Sequence, residues 1–210
     1  MMEPDKELFI VRHGETEWNK NRKYQGQKDV KLNETGKKQV RLSAEELAEF
    51  DLEAVCSSNL SRARDTAEEI AASHQLQVRQ FAGLREIDFG DWEGKSYEEI
   101  IEQQKERFHD WLQNPGRTSP PGGEDMQEFQ QRVCRAFEQI LEFSADKIAV
   151  AAHGGSIRVY MLKVLGMPLE NYTRLHFDNG GISRIKYFQD SPVVTQVNTV
   201  GHLDGSLQKF

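Results

Sequence analysis

The chain has 210 residues, of which 37% are hydrophobic and 29% charged, with a net charge of −7. This length and composition are typical of one α/β domain with a well-buried core, and we expect a single domain over residues 1–210. The negative charge argues against nucleic acid or an anionic membrane as the main partner, although it leaves room for a local basic pocket.

The cysteine content and the apolar runs indicate a cytoplasmic protein. Cys56 and Cys134 have no metal-ligand spacing and predict buried free thiols in a reducing compartment. The first residues lack a signal-peptide pattern, and no apolar run of the sequence reaches the length of a membrane span.

The first predicted strand ends in an arginine and a histidine. The apolar run LFIV at 8–11 predicts a short buried strand, followed directly by Arg12, His13 and Gly14. Glycine permits a tight turn and close approach of the backbone. Because ligands of open α/β sheets bind outside the carboxyl ends of strands, the pair suggests anion recognition beside a nucleophile or proton carrier. A strand that ends in two polar residues without function explains the dipeptide equally well.

The next segments predict a loop, a helix, a strand and a second helix. Polar residues at 21–36 indicate a loop over the end of the first strand. We expect a helix through roughly 43–50, a strand at 53–57 and a helix to about residue 73. The candidate N-caps are Asn33 and Thr35 for the first helix and Ser57, Ser58, Asn59 or Ser61 for the second. Arg62 would then lie in a first turn that favours anions, whereas we assign Arg64 to the surface.

An acidic loop follows a weak third strand at 77–81. In this loop Glu86 and Asp88 flank Ile87, close to aromatic residues and glycines. Apolar surroundings are one way to make a carboxylic acid a proton donor near neutral pH. A solvated loop explains the same residues.

Two further helices are predicted by their periodicity, at 97–111 and at 124–143. A connection rich in proline and glycine separates them at 114–123. We expect these helices to form a helical flap, roughly 90–145, inserted within the domain and lying over the sheet's C-terminal edge.

A second strand with the same kind of ending is predicted at 147–152. It is followed by His153 and Gly154, which lead into a helix to about residue 165 whose first N–H groups could stabilise a phosphoryl oxygen. Two histidines beside glycines at two strand ends are harder to explain as structural than one. A late hairpin or an added sheet edge is predicted at 182–188 and 193–200.

This set of residues suits the cleavage of a phosphate monoester. Arg12 and Arg62 can hold phosphoryl oxygens as charged forks, and a neutral histidine can attack phosphorus. A second, protonated histidine could stabilise the equatorial oxygens, and Glu86 could protonate the departing oxygen. Neither histidine has a partner at metal-ligand spacing, so we expect no metal and no cofactor.

Four blocks of the chain, in order, resemble the histidine phosphatase (phosphoglycerate mutase-like) superfamily: LFIVRHGETEWN, SNLSRARDTA, LREIDFGDWEG and AAHGGSIR. The resemblance implies an α/β/α sandwich on a mostly parallel sheet, with His13 as the phosphorylated residue and Glu86 as the proton donor. It implies a phosphate pocket formed by Arg12, Arg62 and His153. The other substrate-binding positions that we predict are Gly14, Asn19, Gln25, Gly26 and Gly154.

Within that superfamily the sequence around Glu86 is more similar to the phosphatase branch, in particular to α-ribazole phosphatases and broad-specificity bacterial phosphatases. The expected partner is therefore a small phosphorylated metabolite, with α-ribazole 5′-phosphate as a candidate. A phosphoglycerate mutase is the alternative, and a non-catalytic phosphate-binding relative is a third. The chain could be a monomer or a homodimer.

Overall fold

Six strands form one mixed, mostly parallel sheet. The computed structural model describes residues 3–189, 191–203 and 205. The strands are β1 Lys6–Arg12, β2 Ala54–Ser57, β3 Val78–Gln80, β4 Lys147–Ala152, β5 Ile182–Phe188 and β6 Ser191–Thr199. Their order across the sheet is β3-β2-β4-β1-β5-β6. The first four strands run parallel, and β5 and β6 add an antiparallel hairpin beside β1. The predicted hairpin and the predicted added edge are therefore the same element.

Helices cover both faces of this sheet. They are α1 Glu17–Lys20, α2 Glu34–Leu47, α3 Ser61–His74, α4 Tyr97–Gln113, α5 Met126–Leu141 and α6 Gly154–Val164. Alternate residues of β1 point to opposite faces, so Phe9 packs in one core with α2 and α3. Ile10 packs in the other core with α5 and α6. The predicted α/β/α sandwich is confirmed.

Three helix starts differ from the predictions, and for α1 and α3 the reason is that side chains outside the expected positions satisfy backbone N–H groups. Thr16 and Asn19 form a capping box that starts α1 inside the predicted loop. Asn33 caps α2 as predicted, but the helix begins earlier than the expected segment. No side chain of the four candidates caps α3; instead Asp29 accepts a hydrogen bond from the N–H of Ser61 at 2.7 Å.

The two helices of the predicted flap, α4 and α5, pack against different parts of the molecule. Phe108 and Trp111 of α4 pack against Phe89, Trp92 and Tyr24, in the layer that borders the candidate site. In contrast, α5 packs on α6, with Phe137 stacked on Tyr160 at a centroid distance of 3.6 Å. Thus α4 packs behind Tyr24 and Phe89, which line the candidate site, and no described residue of α4 or α5 lines it.

The two cysteines are free and buried, as predicted. Among the described residues, no helix combines the length and the apolar character needed to cross a bilayer.

Candidate active site

The two predicted histidines meet because their strands are neighbours. β1 and β4 pair in parallel with Arg12 opposite Ala152, so the residues that follow leave the sheet side by side. The rings of His13 and His153 lie 5.2 Å apart between centroids, and both side chains are buried. This is the carboxyl edge of the sheet, where open α/β folds place their ligands.

The contacts of His13 define a neutral imidazole with its proton on Nδ1 and an unprotonated Nε2. Its Nδ1 lies 2.7 Å from the carbonyl oxygen of Gly14, which can only accept, so Nδ1 carries the proton. Its Nε2 accepts from Nε of Arg62 at 3.3 Å. Burial, together with the charges of Arg62 and Arg12, holds the pKa of His13 well below its usual 6.5. Nε2 is therefore an unprotonated nucleophile at neutral pH.

Arg62 is held rigidly beside that nitrogen. Its side chain is fully buried in the first turn of α3, and its two terminal nitrogens donate to the carbonyls of Lys28 and Gly26, each at 2.8 Å. Burial lowers the pKa of Arg62 to about 10, against the opposing effect of Glu86, so the guanidinium stays charged at neutral pH.

Arg12 supplies a second fixed cation. Its Nη1 donates to the carbonyl of Phe177 at 2.5 Å, and its Nε has no hydrogen-bond partner among the described residues. Burial and the nearby charge of Arg158 lower the pKa of Arg12 to about 10, which still leaves it cationic. Two arginine forks beside a nucleophilic histidine form a site for a tetrahedral oxyanion.

His153 differs from the prediction of a protonated second histidine. Both of its ring nitrogens lack a hydrogen-bond partner among the described residues. Burial and the charge of Arg62 hold the pKa of His153 well below its usual value, so the ring is neutral in the unliganded pocket. A dianionic ligand would counter the arginine charges. His153 lies behind His13 and is not among the residues that line the pocket, so its contact with a phosphoryl group stays a prediction.

Glu86 is positioned by backbone groups. Its carboxylate accepts from the N–H of Gly155 at 2.9 Å and from its neighbour Ile87 at 3.0 Å. Arg132 of α5 holds this turn by donating to the carbonyls of Gly83, Arg85 and Glu86. Glu124 pairs with its guanidinium at 2.5 Å. These contacts direct Glu86 into the pocket rather than into solvent.

The remaining predicted positions are mostly brought together. Asn19, Gln25, Gly26 and Gly154 line the same pocket as Arg12, His13, Arg62 and Glu86. Gly14 is not on the pocket wall: it packs against α2, where an added Cβ would lie 2.4 Å from the carbonyl oxygen of Gly36. Its contribution is the carbonyl that orients His13.

The structure adds six pocket residues that were not among the predicted site residues: Lys23, Tyr24, Phe89, Gly155, Arg158 and Tyr172. Arg158 lies one helical turn after Gly154 in the AAHGGSIR block, and this i, i+4 spacing is a signal that could have identified it. Lys23 and Tyr172 reach the pocket from a loop and a distant turn, for which the local sequence has no comparable signal.

No group of three histidine, cysteine, aspartate or glutamate side chains in the described ranges is arranged to hold a metal ion. The absence of a metal requirement remains a prediction.

Comparison with known proteins agrees with this geometry. The family model described as histidine phosphatase superfamily (branch 1) matches residues 8–200. Phosphoserine phosphatase 1 of Hydrogenobacter thermophilus is 34% identical over 197 residues, covering 93% of each chain. The probable phosphoglycerate mutase GpmB of Salmonella choleraesuis is 32% identical over 205 residues, covering 94% of this chain and 95% of its own. The crystal structure of the α-ribazole phosphatase from Shigella flexneri superposes with a TM-score of 0.84 at 28% identity, covering 92% of this chain and 96% of its own.

Proposed function

Because the chain belongs to the histidine phosphatase superfamily, we propose that it is a phosphomonoesterase that hydrolyses a small phosphorylated metabolite through a phosphohistidine on His13. The observation that carries this proposal is the neutral His13, whose Nε2 faces the Arg62 guanidinium at 3.3 Å inside a cationic pocket. A phosphoryl group held by that guanidinium lies next to the nucleophilic nitrogen.

In the first step, the lone pair of His13 Nε2 attacks phosphorus and the bond to the ester oxygen breaks. Arg12 and Arg62 hold the equatorial oxygens, on which negative charge accumulates, and the N–H of His153 donates to the same group. Glu86 gives its proton to the departing alkoxide, which leaves as an alcohol.

In the second step, water attacks the phosphohistidine. The carboxylate of Glu86, now unprotonated, accepts a proton from that water, and the N–P bond breaks to return neutral His13 and release inorganic phosphate. No step of this scheme needs a metal or a cofactor.

Two observations favour different substrates. The fold likeness to an α-ribazole phosphatase supports α-ribazole 5′-phosphate, whereas the 34% identical phosphoserine phosphatase supports a smaller phosphorylated acid. The similarity to a probable phosphoglycerate mutase supports the interconversion of phosphoglycerates as the second candidate function. The full set of His13, Arg12, Arg62, His153 and Glu86 argues against a non-catalytic phosphate-binding role.

The proposal is tested by phosphate release from a panel of monoesters, with a coupled assay for conversion of 3- to 2-phosphoglycerate in parallel. We expect phosphate release by the wild type and none by His13→Ala, with unchanged thermal unfolding. His109→Ala, a histidine of α4 outside the pocket, is the matched control and should retain activity. Interconversion of the phosphoglycerates without phosphate release would show the mutase instead.

A further inference from the structure

Two cationic side chains of the pocket have no part in the chemistry above. Lys23 comes from the loop after α1, and Arg158 comes from the second turn of α6. Arg12 and Arg62 line the pocket too. Among the residues that the structure describes, four cationic side chains thus line it, against the one carboxylate of Glu86. A phosphate dianion held by the two deeper arginines leaves the outer pair without a counter-charge.

The side chain of Arg158 is held in place by two contacts. Its Nε donates to the carbonyl of Leu175 at 2.8 Å, and its guanidinium lies over the ring of Tyr172, 5.2 Å from the centroid. A guanidinium fixed in this way loses little conformational entropy when its outer nitrogens bind an anion.

Neither cation is neutralised by the protein. No carboxylate of the described residues forms an ion pair with Arg158 or Lys23. The charge of Arg158 instead acts on Arg12, where it contributes to the lowered pKa of that guanidinium. Like charges gathered without a counter-ion in a cleft are costly unless a ligand supplies the opposite charge.

We propose that Arg158 and Lys23 form a carboxylate subsite, so that the substrate is the phosphate monoester of a small carboxylic acid. This inference rests on the proposed function and names the substrate class of the same site. The planar guanidinium of Arg158 suits a bidentate contact with a carboxylate, and Lys23 adds a single flexible donor.

The spacing in α6 fits a short substrate. Gly154 lies beside the inner guanidinium, because a Cβ built at that position would lie 3.4 Å from Nε of Arg12. Arg158 follows four residues later, which is a rise of about 6 Å along the helix. Two pocket residues one helical turn apart favour a short substrate, such as one whose carboxylate lies two or three bonds from the ester oxygen. A nucleoside-like leaving group without a carboxylate offers Arg158 no counter-charge.

The test compares substrates that differ only in the carboxylate. O-phosphoserine is paired with O-phosphoethanolamine, 3-phosphoglycerate with glycerol 3-phosphate, and α-ribazole 5′-phosphate is included. We expect the wild type to favour the acid of each pair in kcat/KM by about 10- to 100-fold, the range of charge-assisted hydrogen bonds. Arg158→Met should remove most of that preference through KM, while Arg158→Lys should restore part of it. Lys23→Met should weaken the preference, and Lys20→Met, an exposed lysine of α1, should not.

Equal use of both members of each pair by the wild type, or a preference for α-ribazole 5′-phosphate, would overturn the subsite. A loss of activity in Arg158→Met that is equal for acids and neutral esters would indicate only a structural role for the contact with Leu175. Calorimetric binding of O-phosphoserine and O-phosphoethanolamine to His13→Ala separates this inference from the proposed function. A carboxylate preference in binding supports the subsite even where no turnover occurs, and equal binding refutes it.

Discussion

Gly155→Ala is a sharp test of the position of Glu86. A Cβ at residue 155 would lie 2.1 Å from Oε1 of Glu86, which is 1.3 Å short of the 3.4 Å at which ordinary contact begins, and 2.7 Å from the hydroxyl of Tyr172. The flexible carboxylate must therefore move by more than 1 Å, away from the N–H that now holds it. A misplacement of about 1 Å can reduce a rate by about 100-fold. Alanine is a better helix former than glycine by up to about 1 kcal/mol, which opposes the cost of displacing the buried Tyr172 hydroxyl. Thermal unfolding of the variant is therefore measured beside its activity.

The assay exploits the proton that Glu86 supplies. Alkyl phosphates need a protonated leaving group, whereas an aryl phosphate leaves as a stable phenolate. The kcat/KM of Gly155→Ala, which reports the step that forms the phosphohistidine, should therefore fall by about 100-fold on an alkyl ester and much less on an aryl ester. Gly116→Ala is the control, because residue 116 lies outside the pocket and its Cβ would meet Leu169 only at an ordinary contact distance of 3.5 Å. An alkyl-ester rate unchanged in Gly155→Ala would refute the assigned role of Glu86.

Three further predictions concern pH and metals. Because burial holds the pKa of His13 below 6.5, kcat on an aryl phosphate should not decline from loss of the nucleophile between about pH 7.5 and 6.5; a titration at the usual histidine value would contradict this. The lowered pKa values of His13 and His153 mean that the unfolded chain binds protons below about pH 6.5 that the folded chain does not, so stability should fall on acidification. The free energy of unfolding in urea, plotted against pH, should therefore have a positive slope below about pH 6.5. His13→Gln should reduce this slope by up to about 1.4 kcal/mol per pH unit, and an unchanged slope would refute the lowered pKa of His13. Phosphate release should persist in EDTA, and a loss restored only by a divalent ion would overturn the metal-free scheme.

The sheet, and the part of the site formed by Arg12, His13, Arg62 and His153, could be predicted from the sequence because both depend on local patterns. Apolar runs that end in Arg12–His13 and in His153 predict parallel strands, and neighbouring parallel strands bring their following residues together. Arg62 was placed correctly in the first turn of α3 by the helical period that follows it.

Contacts between segments that are distant in the sequence could not be predicted in this way. Asp29 caps α3 from a loop 32 residues away, and Arg132 holds the turn before Glu86 across 46 residues. Neither side chain stands in a local pattern that indicates its partner. The neutral state of His153 was also missed, since it depends on burial beside two arginines rather than on its neighbours in sequence.

The central claim is the covalent intermediate on His13, and trapping it tests the account most directly. The enzyme is mixed with an aryl phosphate, denatured in alkali within one turnover, digested and analysed by mass spectrometry. We predict one phosphoryl group per chain on His13 and none in His13→Ala. The account would be contradicted by a phosphoryl group on another residue, or by undiminished phosphate release from His13→Ala.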